Sequence, residues 1–506
     1  MIHTGELLAR NARKFPDREA LVFEDKRFSY GELNEMVNRL SNSLIELGIR
    51  KGDKVGMMSF NSDSFVIAYF AIMKAGGIVV PLNFRLAPPE VEYILDNCDA
   101  KAFLFGNEFL PIAKELRDKL PRVERWILMD GEATEDFLYS PKLTEEGNPA
   151  EPGVDIHLFD ESAIIYTSGT TGRPKGAVFN HYSHLSIATA MMSEVSIREY
   201  DRILHVAPLF HSAELHLYLW PGTFAGATHV VLKFFIPKLV LETIEKERIT
   251  QFFGAPAMYL LMMQEPDFHK YDLSSVKYWA YGAAPMSREQ VLKAIEMFKT
   301  DQFFCLCGLT EGGPGGVRLR PEDQITKAGA GGLPVVNCES RVVNEKGEDV
   351  AVGEVGEWLV RCESNMLYYY KNPEATAETL TPDGWVRTGD LAVVDEDGYV
   401  TLVDRKKDMI ISGGENIYPR EIENVLLAHP KVADAAVVGV PHEIYGETVK
   451  AFVVPAEGEE VAPEELREFC VGKLGDFKIP RLWEFIDALP RNPSGKVMKY
   501  VLREKK

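Results

Sequence analysis

The chain has 506 residues, 46% hydrophobic and 26% charged, a globular composition too long for one core at roughly 100–200 residues per domain. Lys and Arg number 56 against 76 Asp and Glu, a formal net charge of −20, which argues against a nucleic-acid binder, whose footprint is basic. Anionic small molecules stay open, because a phosphate site needs only local donors. The opening stretch, MIHTGELLARNARKFPDREA, is polar and lacks the apolar run of a signal peptide, which reads as a cytoplasmic protein. Ser29 and Glu32 form an S-x-x-E capping box, and Leu33, Met36, Val37, Leu40, Leu44 and Leu47 follow at helical spacing up to a stop at Gly48. A strand is predicted at Val55–Phe60, a helix at Ser64–Lys74, a strand at Ile78–Leu82, a helix at Pro88–Asn97 and a strand at Ala102–Phe105. This alternation implies an α/β sheet. Residues 131–162 are acidic with several Pro and Gly and read as a surface connection.

A second α/β stretch is predicted from 162 to 333. Within it, Leu215–Leu232 is uncharged but holds Pro221, Gly222 and Gly226, so it reads as buried core rather than a membrane span. Residues 339–403 are strand-rich, with turns at Glu345-Lys346-Gly347, Pro382-Asp383-Gly384 and Asp395-Glu396-Asp397-Gly398. The last unit carries a helix at Arg420–Ala428, strands near Ala433–Val440 and Lys450–Val454, and a helix at Pro463–Leu474. The cut falls between a large N-terminal part, 1–403, and a C-terminal part of about 100 residues. Cys98, Cys305, Cys307, Cys338, Cys362 and Cys470 form no CxxC pair and no metal-ligand spacing, and read as free thiols in a reducing compartment.

Residues 163–176, AIIYTSGTTGRPKG, pair an apolar strand, Ala163–Tyr166, with a loop, Thr167–Gly176. The loop carries hydroxyls at Thr167, Ser168, Thr170 and Thr171, glycines at Gly169, Gly172 and Gly176, and Lys175. Glycines let backbone N–H groups approach an anion closely, hydroxyls add donors, and lysine adds a point charge. This is chemistry for a polyphosphate, although the string is not the GxxxxGK[ST] loop. It resembles the signature loop of the adenylate-forming superfamily: acyl-CoA synthetases, luciferases and peptide-synthetase adenylation domains. Further motifs follow in that family's order, so the resemblance covers nearly the whole chain.

The resemblance implies a large multi-sheet α/β N-terminal domain, a hinge at 404–407 and a small mobile α+β lid at 408–506. It implies an acyl-CoA synthetase that uses ATP, Mg²⁺ and coenzyme A. Cys307-Gly308-Leu309-Thr310-Glu311 is similar to the family's YGxTE, so Thr310 would hold the α-phosphate and Glu311 would bind Mg²⁺. Cys307 replaces the tyrosine that stacks on adenine, and Phe303 or Phe304 is the nearby ring to compensate. Gly282-Ala283-Ala284, after Tyr281, resembles the adenine-pocket turn. Asp390, in Arg387-Thr388-Gly389-Asp390, would bind the ribose hydroxyls, an acceptor-only group against a diol. Asp404-Arg405-Lys406-Lys407-Asp408 resembles the hinge, with Arg405 reaching the nucleotide and Lys407 as pivot. Gly413 and Gly414 would approach the pantetheine tunnel, and Lys496, in a Pro/Gly-framed loop, would bridge carboxylate and α-phosphate.

His211, in Pro208-Leu209-Phe210-His211, stands where aminoacyl-adenylating relatives carry an aspartate, which argues against an amino-acid substrate. Phe210, His211, Phe253, Met258, Tyr281 and Gly308 are the pocket-lining candidates, and their apolar character suits a fatty or an aryl acid, the fatty acid being preferred. Glu214 stands where a small residue is common, and both orientations are open: toward a polar acyl tail, or away from it. The implied partners are a small carboxylic acid and coenzyme A, with no nucleic acid, no transmembrane segment and a homodimer admitted. Loading of a carrier-protein thiol and a non-catalytic binding protein are the alternatives.

Overall fold

A computed structural model describes residues 3–167, 173–284, 286–413, 415–491 and 497–504. The chain divides into two compact units, one formed by 1–340 with 360–387, the other by 341–359 with 388–506.

In the first unit the capping box forms as the residues dictate. The Ser29 hydroxyl accepts from the Glu32 N–H at 3.2 Å, and the Glu32 carboxylate accepts from the Ser29 N–H at 2.8 Å. The helix Tyr30–Glu46 then buries Tyr30, Leu33, Val37, Leu40 and Leu44. The next helix, Asp63–Lys74, is capped by the Ser62 hydroxyl and is apolar on all sides, so nearly every residue of it is buried.

An eight-stranded sheet runs in the order 368–369, 175–180, 161–167, 78–81, 54–58, 100–105, 125–128, 138–139. Its centre is parallel, and Lys175–Asn180 returns antiparallel to Glu161–Thr167. A nine-stranded sheet takes the order 333–334, 316–319, 303–308, 278–282, 251–254, 202–205, 228–231, 19–23, 26–29, parallel except at its ends. Its inner strands are apolar in succession, as strands covered on both faces are. Leu215–Leu232 is buried within this unit, and no helix among the described residues is long and apolar enough to cross a membrane.

In the second unit a sheet orders 415–417, 410–412, 446–455 and 432–442, with 482–485 beside 446–455. Helices Pro419–Leu427 and Pro463–Cys470 supply Ile422, Leu426 and Leu466 to the same core as Ile410, Val437, Val449 and Ala451.

Three expectations are corrected. Residues 131–162 are not all surface connection: Ser140–Glu146 is a helix with Pro141 in its first turn, and its Leu143 carbonyl accepts from the Ser43 hydroxyl at 2.7 Å. At seven residues it is too short to show a period, and tertiary packing forms it. The helix expected to reach Leu474 ends at Cys470, because Val471 is extended and Gly472 takes φ +76°. Cys338 and Cys362 are not free thiols; they form a disulfide, while Cys98, Cys305, Cys307 and Cys470 take no part in one. The two sulfurs meet because the strands Cys338–Val343 and Gly356–Cys362 are neighbours in one sheet, a pairing invisible in the spacing.

Candidate active site

Two of the anion-loop candidates, Thr167 and Lys175, sit at the mouth of a hairpin. Thr167 ends one strand and Lys175 begins the next, and the two are in register. Lys175 is therefore a strand residue rather than a loop residue, while Ser168, Gly169, Thr170, Thr171 and Gly172 lie outside the described residues. Across from Thr167, the strand Phe303–Gly308 runs into a 3₁₀ turn, Thr310–Gly312. The Glu311 carboxylate is the meeting point: its Oε1 accepts from the Thr167 hydroxyl at 3.3 Å and from the Tyr369 hydroxyl at 2.6 Å. The Lys175 ammonium lies 5.3 Å from the centre of the Tyr369 ring. Burial, and then the Glu311 charge, push the Tyr369 hydroxyl above its ordinary pKa, so it stays a donor.

Tyr369 was not among the residues singled out in the sequence; it lies in a plain Tyr368-Tyr369-Tyr370 run, and only the pairing of 368–369 with 175–180 brings it here. Ser212 was missed as well: its hydroxyl lies 3.0 Å from the Thr310 hydroxyl. The turn is held from behind, where the Glu311 carbonyl accepts from the Met366 N–H at 2.8 Å and the Gly312 carbonyl from the Ser364 hydroxyl at 2.6 Å. Among the described residues no group of three or more His, Cys, Asp or Glu is placed to hold a metal. One carboxylate backed by two hydroxyls fits a hard cation that relies on phosphate oxygens and water for its other ligands.

Beside this lies the end of the nine-stranded sheet. Phe253 and Ala280 are in register, and with Tyr218, Leu217, Phe304, Leu306 and Met258 they form one apolar cluster. The Tyr218 ring stacks on Phe253 at 5.4 Å between centroids. Tyr281 does not join them. Strand residues alternate faces, so Tyr281 points to the opposite side, where it is buried and stacks on Phe303 at 5.0 Å. Phe303 and Phe304 are likewise buried in the sheet, on opposite faces, so neither stands free in place of the absent tyrosine at Cys307.

Gly282 and Gly308 are required by close approach: a Cβ at Gly282 would lie 2.4 Å from the Leu306 carbonyl oxygen, and one at Gly308 2.3 Å from that of Pro314. Ala283 and Ala284 are exposed, and Ala283 takes φ +64°, a costly conformation for a residue with a Cβ. His211 is half-buried and caps the short helix that follows, its Nδ1 accepting from the Ala213 N–H at 3.1 Å. The ring proton therefore sits on Nε2 in the neutral form.

The remaining candidates belong to the second unit. Asp390 and Arg405 face each other across two antiparallel strands, with Arg405 Nε 2.6 Å from Asp390 Oδ1. Asp404 ties the expected hinge to the helix Pro419–Leu427, accepting from the Arg405 and Arg420 N–H groups at 2.7 and 2.8 Å. Lys407 is exposed, and Gly413, at φ +61°, follows the strand Ile410–Ser412 in a hairpin. Gly414 and Lys496 lie outside the described residues; the residues flanking the Lys496 loop, Arg491 and Val497, pair as a bridge.

A family model described as AMP-binding enzyme matches residues 8–370, and one described as AMP-binding enzyme C-terminal domain matches 421–496. The long-chain-fatty-acid–CoA ligase FadD13 of Mycobacterium tuberculosis is 37% identical over 511 residues, spanning 100% of this chain and 98% of that protein. The feruloyl-CoA synthase of an Amycolatopsis species is 36% identical over 502 residues, spanning 99% and 98%. Among solved structures, the anthranilate CoA ligase AuaEII in complex with anthranoyl-AMP superposes with a TM-score of 0.91 at 29% identity, covering 99% of this chain and 96% of that one.

Proposed function

The chain belongs to the AMP-binding enzyme family, and from that membership we propose that it is an acyl-CoA synthetase acting on a fatty acid. It joins a carboxylate to MgATP, giving acyl-adenylate and pyrophosphate, and then passes the acyl group to the coenzyme A thiol with release of AMP. The observation that carries this reading is the convergence of Thr167, Lys175, Thr310 and Glu311 beside an apolar cluster, in a chain that matches acid–CoA ligases along its whole length.

Attack of the carboxylate on the α-phosphorus builds negative charge on phosphoryl oxygens, so catalysis is positioning and electrostatics, and no protein nucleophile is required. Thr167 to Gly172 and Lys175 supply donors to the polyphosphate. Thr310 holds the α-phosphate, and Ser212 orients its hydroxyl from 3.0 Å. Glu311 holds Mg²⁺, which neutralises phosphate charge when bound. The Gly282-Ala283-Ala284 turn receives the adenine, Asp390 the ribose, and Arg405 reaches the nucleotide. Lys496 stabilises the adenylation transition state, and Gly413 and Gly414 take the pantetheine arm after a rotation about Lys407.

Phe253, Met258, Gly308 and His211 border the acyl chain. The fatty acid is preferred on FadD13, named for long-chain fatty acids, and on this apolar lining. An aryl acid is the second reading, favoured by the feruloyl-CoA synthase and anthranilate CoA ligase relatives. ATP and coenzyme A meet inside cells, which supports a cytoplasmic enzyme.

The test is a pyrophosphate-release screen with short, medium and long fatty acids and with benzoate and cinnamate types, with and without coenzyme A. A fatty acid should give the highest kcat/KM, with acyl-CoA and AMP as products. A benzoate or cinnamate leading the panel would replace the fatty-acid reading, and no pyrophosphate with any acid would remove the ligase reading.

A further inference from the structure

Glu214 is fully buried, and it does not stand alone. Its Oε1 lies 2.5 Å from His205 Nδ1, His205 Nε2 lies 2.8 Å from His229 Nδ1, and His229 Nε2 lies 3.1 Å from the Thr223 hydroxyl. All four side chains are buried. The direction of this chain can be worked out from its far end. The Thr223 hydroxyl gives its one proton to the Leu219 carbonyl at 2.8 Å, so it must accept from His229 Nε2–H. A neutral imidazole has one N–H, so His229 Nδ1 accepts from His205 Nε2–H, and His205 Nδ1 accepts in turn. With both imidazoles held neutral by burial, only Glu214 Oε1 remains to donate. Glu214 is therefore a neutral carboxylic acid, with its proton on Oε1 and a carbonyl-like Oε2.

Burial agrees with this assignment: it lowers the His205 pKa to about 3, lowers His229 well below its ordinary value, and raises Glu214 well above the usual carboxylate range. Oε2 is buried and has no hydrogen-bond partner among the described residues. A buried acceptor left unpaired is costly, so the position calls for a donor.

The neighbours of Glu214 lie along the apolar cluster proposed to border the acyl chain. Ile203 and His205 share one face of their strand, and Ile203 lies in the apolar cluster with Phe253, Tyr218 and Met258. Glu214 stands between Ala213, which packs against that cluster, and Leu217 and Tyr218, which are in it, at the start of a π-helical turn, Leu215–Leu219. We propose that Glu214 determines acid specificity: its Oε2 accepts a hydrogen bond from a hydroxyl or N–H carried on the body of the acid being activated. This rests on the acid-ligase reading and narrows its substrate class to acids with a donor beyond the carboxylate.

The test compares dodecanoate with its hydroxylated isomers (hydroxyl near the carboxylate, mid-chain and terminal) and benzoate with hydroxybenzoates and aminobenzoates, by kcat/KM for pyrophosphate release. Wild type should favour at least one donor-bearing isomer over its plain parent by about tenfold, the scale of one hydrogen bond. Glu214→Met removes the acceptor, and the ratio should fall to about one. Glu214→Gln should keep the ratio, because an amide N–H can donate to His205 Nδ1 while its carbonyl stays free; a thermal melt confirms folding of both variants. No donor-bearing isomer above its parent in wild type, an undiminished ratio in Glu214→Met, or a lost ratio in Glu214→Gln would each overturn the inference. Pyrophosphate from plain and hydroxylated acids alike would sink this inference alone, whereas none from any acid would sink the ligase reading with it.

Discussion

Two hydroxyls converge on one oxygen of Glu311, from Thr167 and from Tyr369, and they fix how the carboxylate is presented. Glu311→Gln substitutes a neutral amide, a poorer ligand for a hard cation, and should raise the Mg²⁺ concentration needed for half-maximal pyrophosphate release by about tenfold or more. Tyr369→Phe loses only the orienting bond, about 0.5–1.5 kcal/mol, so its Mg²⁺ profile should shift by roughly two- to tenfold. Unchanged profiles in both variants would take Glu311 out of the metal role. Buried histidines set a second residue-level property. His181, His205 and His216 are pulled down to a pKa of about 3 by burial, and His184 and His229 well below the ordinary value, also by burial. The unfolded chain takes up these protons near pH 6.5, and the folded chain does not. The depressed values therefore cost nothing above pH 6.5, and stability is lost as pH falls from there toward 3, by about 1.4 kcal/mol per pH unit for each histidine. The melting temperature should drop steeply between pH 7 and pH 5; a flat profile would mean that these rings are hydrated or already charged.

The element that carries Thr310 and Glu311 depends on a backbone that only glycine allows. Gly313 takes φ +81°, and a Cβ there would lie 2.0 Å from the Ser364 carbonyl oxygen. Gly313→Ala should destabilise the fold by about 1–3 kcal/mol and slow adenylation, because the turn must shift to make room. A thermal melt with ATP kinetics checks both; a fully active, equally stable variant would show that the turn is not tightly set. Elements of this kind were legible where local chemistry decides them: the box at Ser29 and Glu32 starts its helix, and the Thr-Ser-Gly string marks its hairpin. Elements decided by partners far along the chain were not. The helix Ser140–Glu146 exists through its packing on the helix Tyr30–Glu46, and Cys338 meets Cys362 only because their strands are neighbours. Tyr369 reaches Glu311 through a two-residue strand with no pattern of its own, and Tyr281 misses the Phe253 cluster because a strand turns alternate residues to opposite faces.

At the scale of the whole molecule, two compact units carry the proposed roles separately: Thr167, Lys175, Thr310 and Glu311 in one, Asp390, Arg405, Lys407 and Gly413 in the other. The two half-reactions should then separate by mutation. Lys496→Ala should cut acyl-adenylate formation by roughly 10²–10³-fold, the scale of one preorganised electrostatic donor, yet still convert supplied acyl-adenylate to acyl-CoA. Lys407→Pro, which fixes φ near −65° and restricts the residue before it, should do the reverse. Equal loss of both steps in each folded variant would remove the rotation from the mechanism. The chemistry itself leaves a mark on the oxygen atoms. If the acid is activated as its adenylate, one carboxylate oxygen departs with AMP when the thiol attacks. The decisive measurement is mass spectrometry of the products formed from ¹⁸O-labelled dodecanoate, ATP, Mg²⁺ and coenzyme A. One ¹⁸O should appear in AMP and none in pyrophosphate, whereas label in inorganic phosphate with ADP as product, or no label in AMP while acyl-CoA forms, would contradict adenylation.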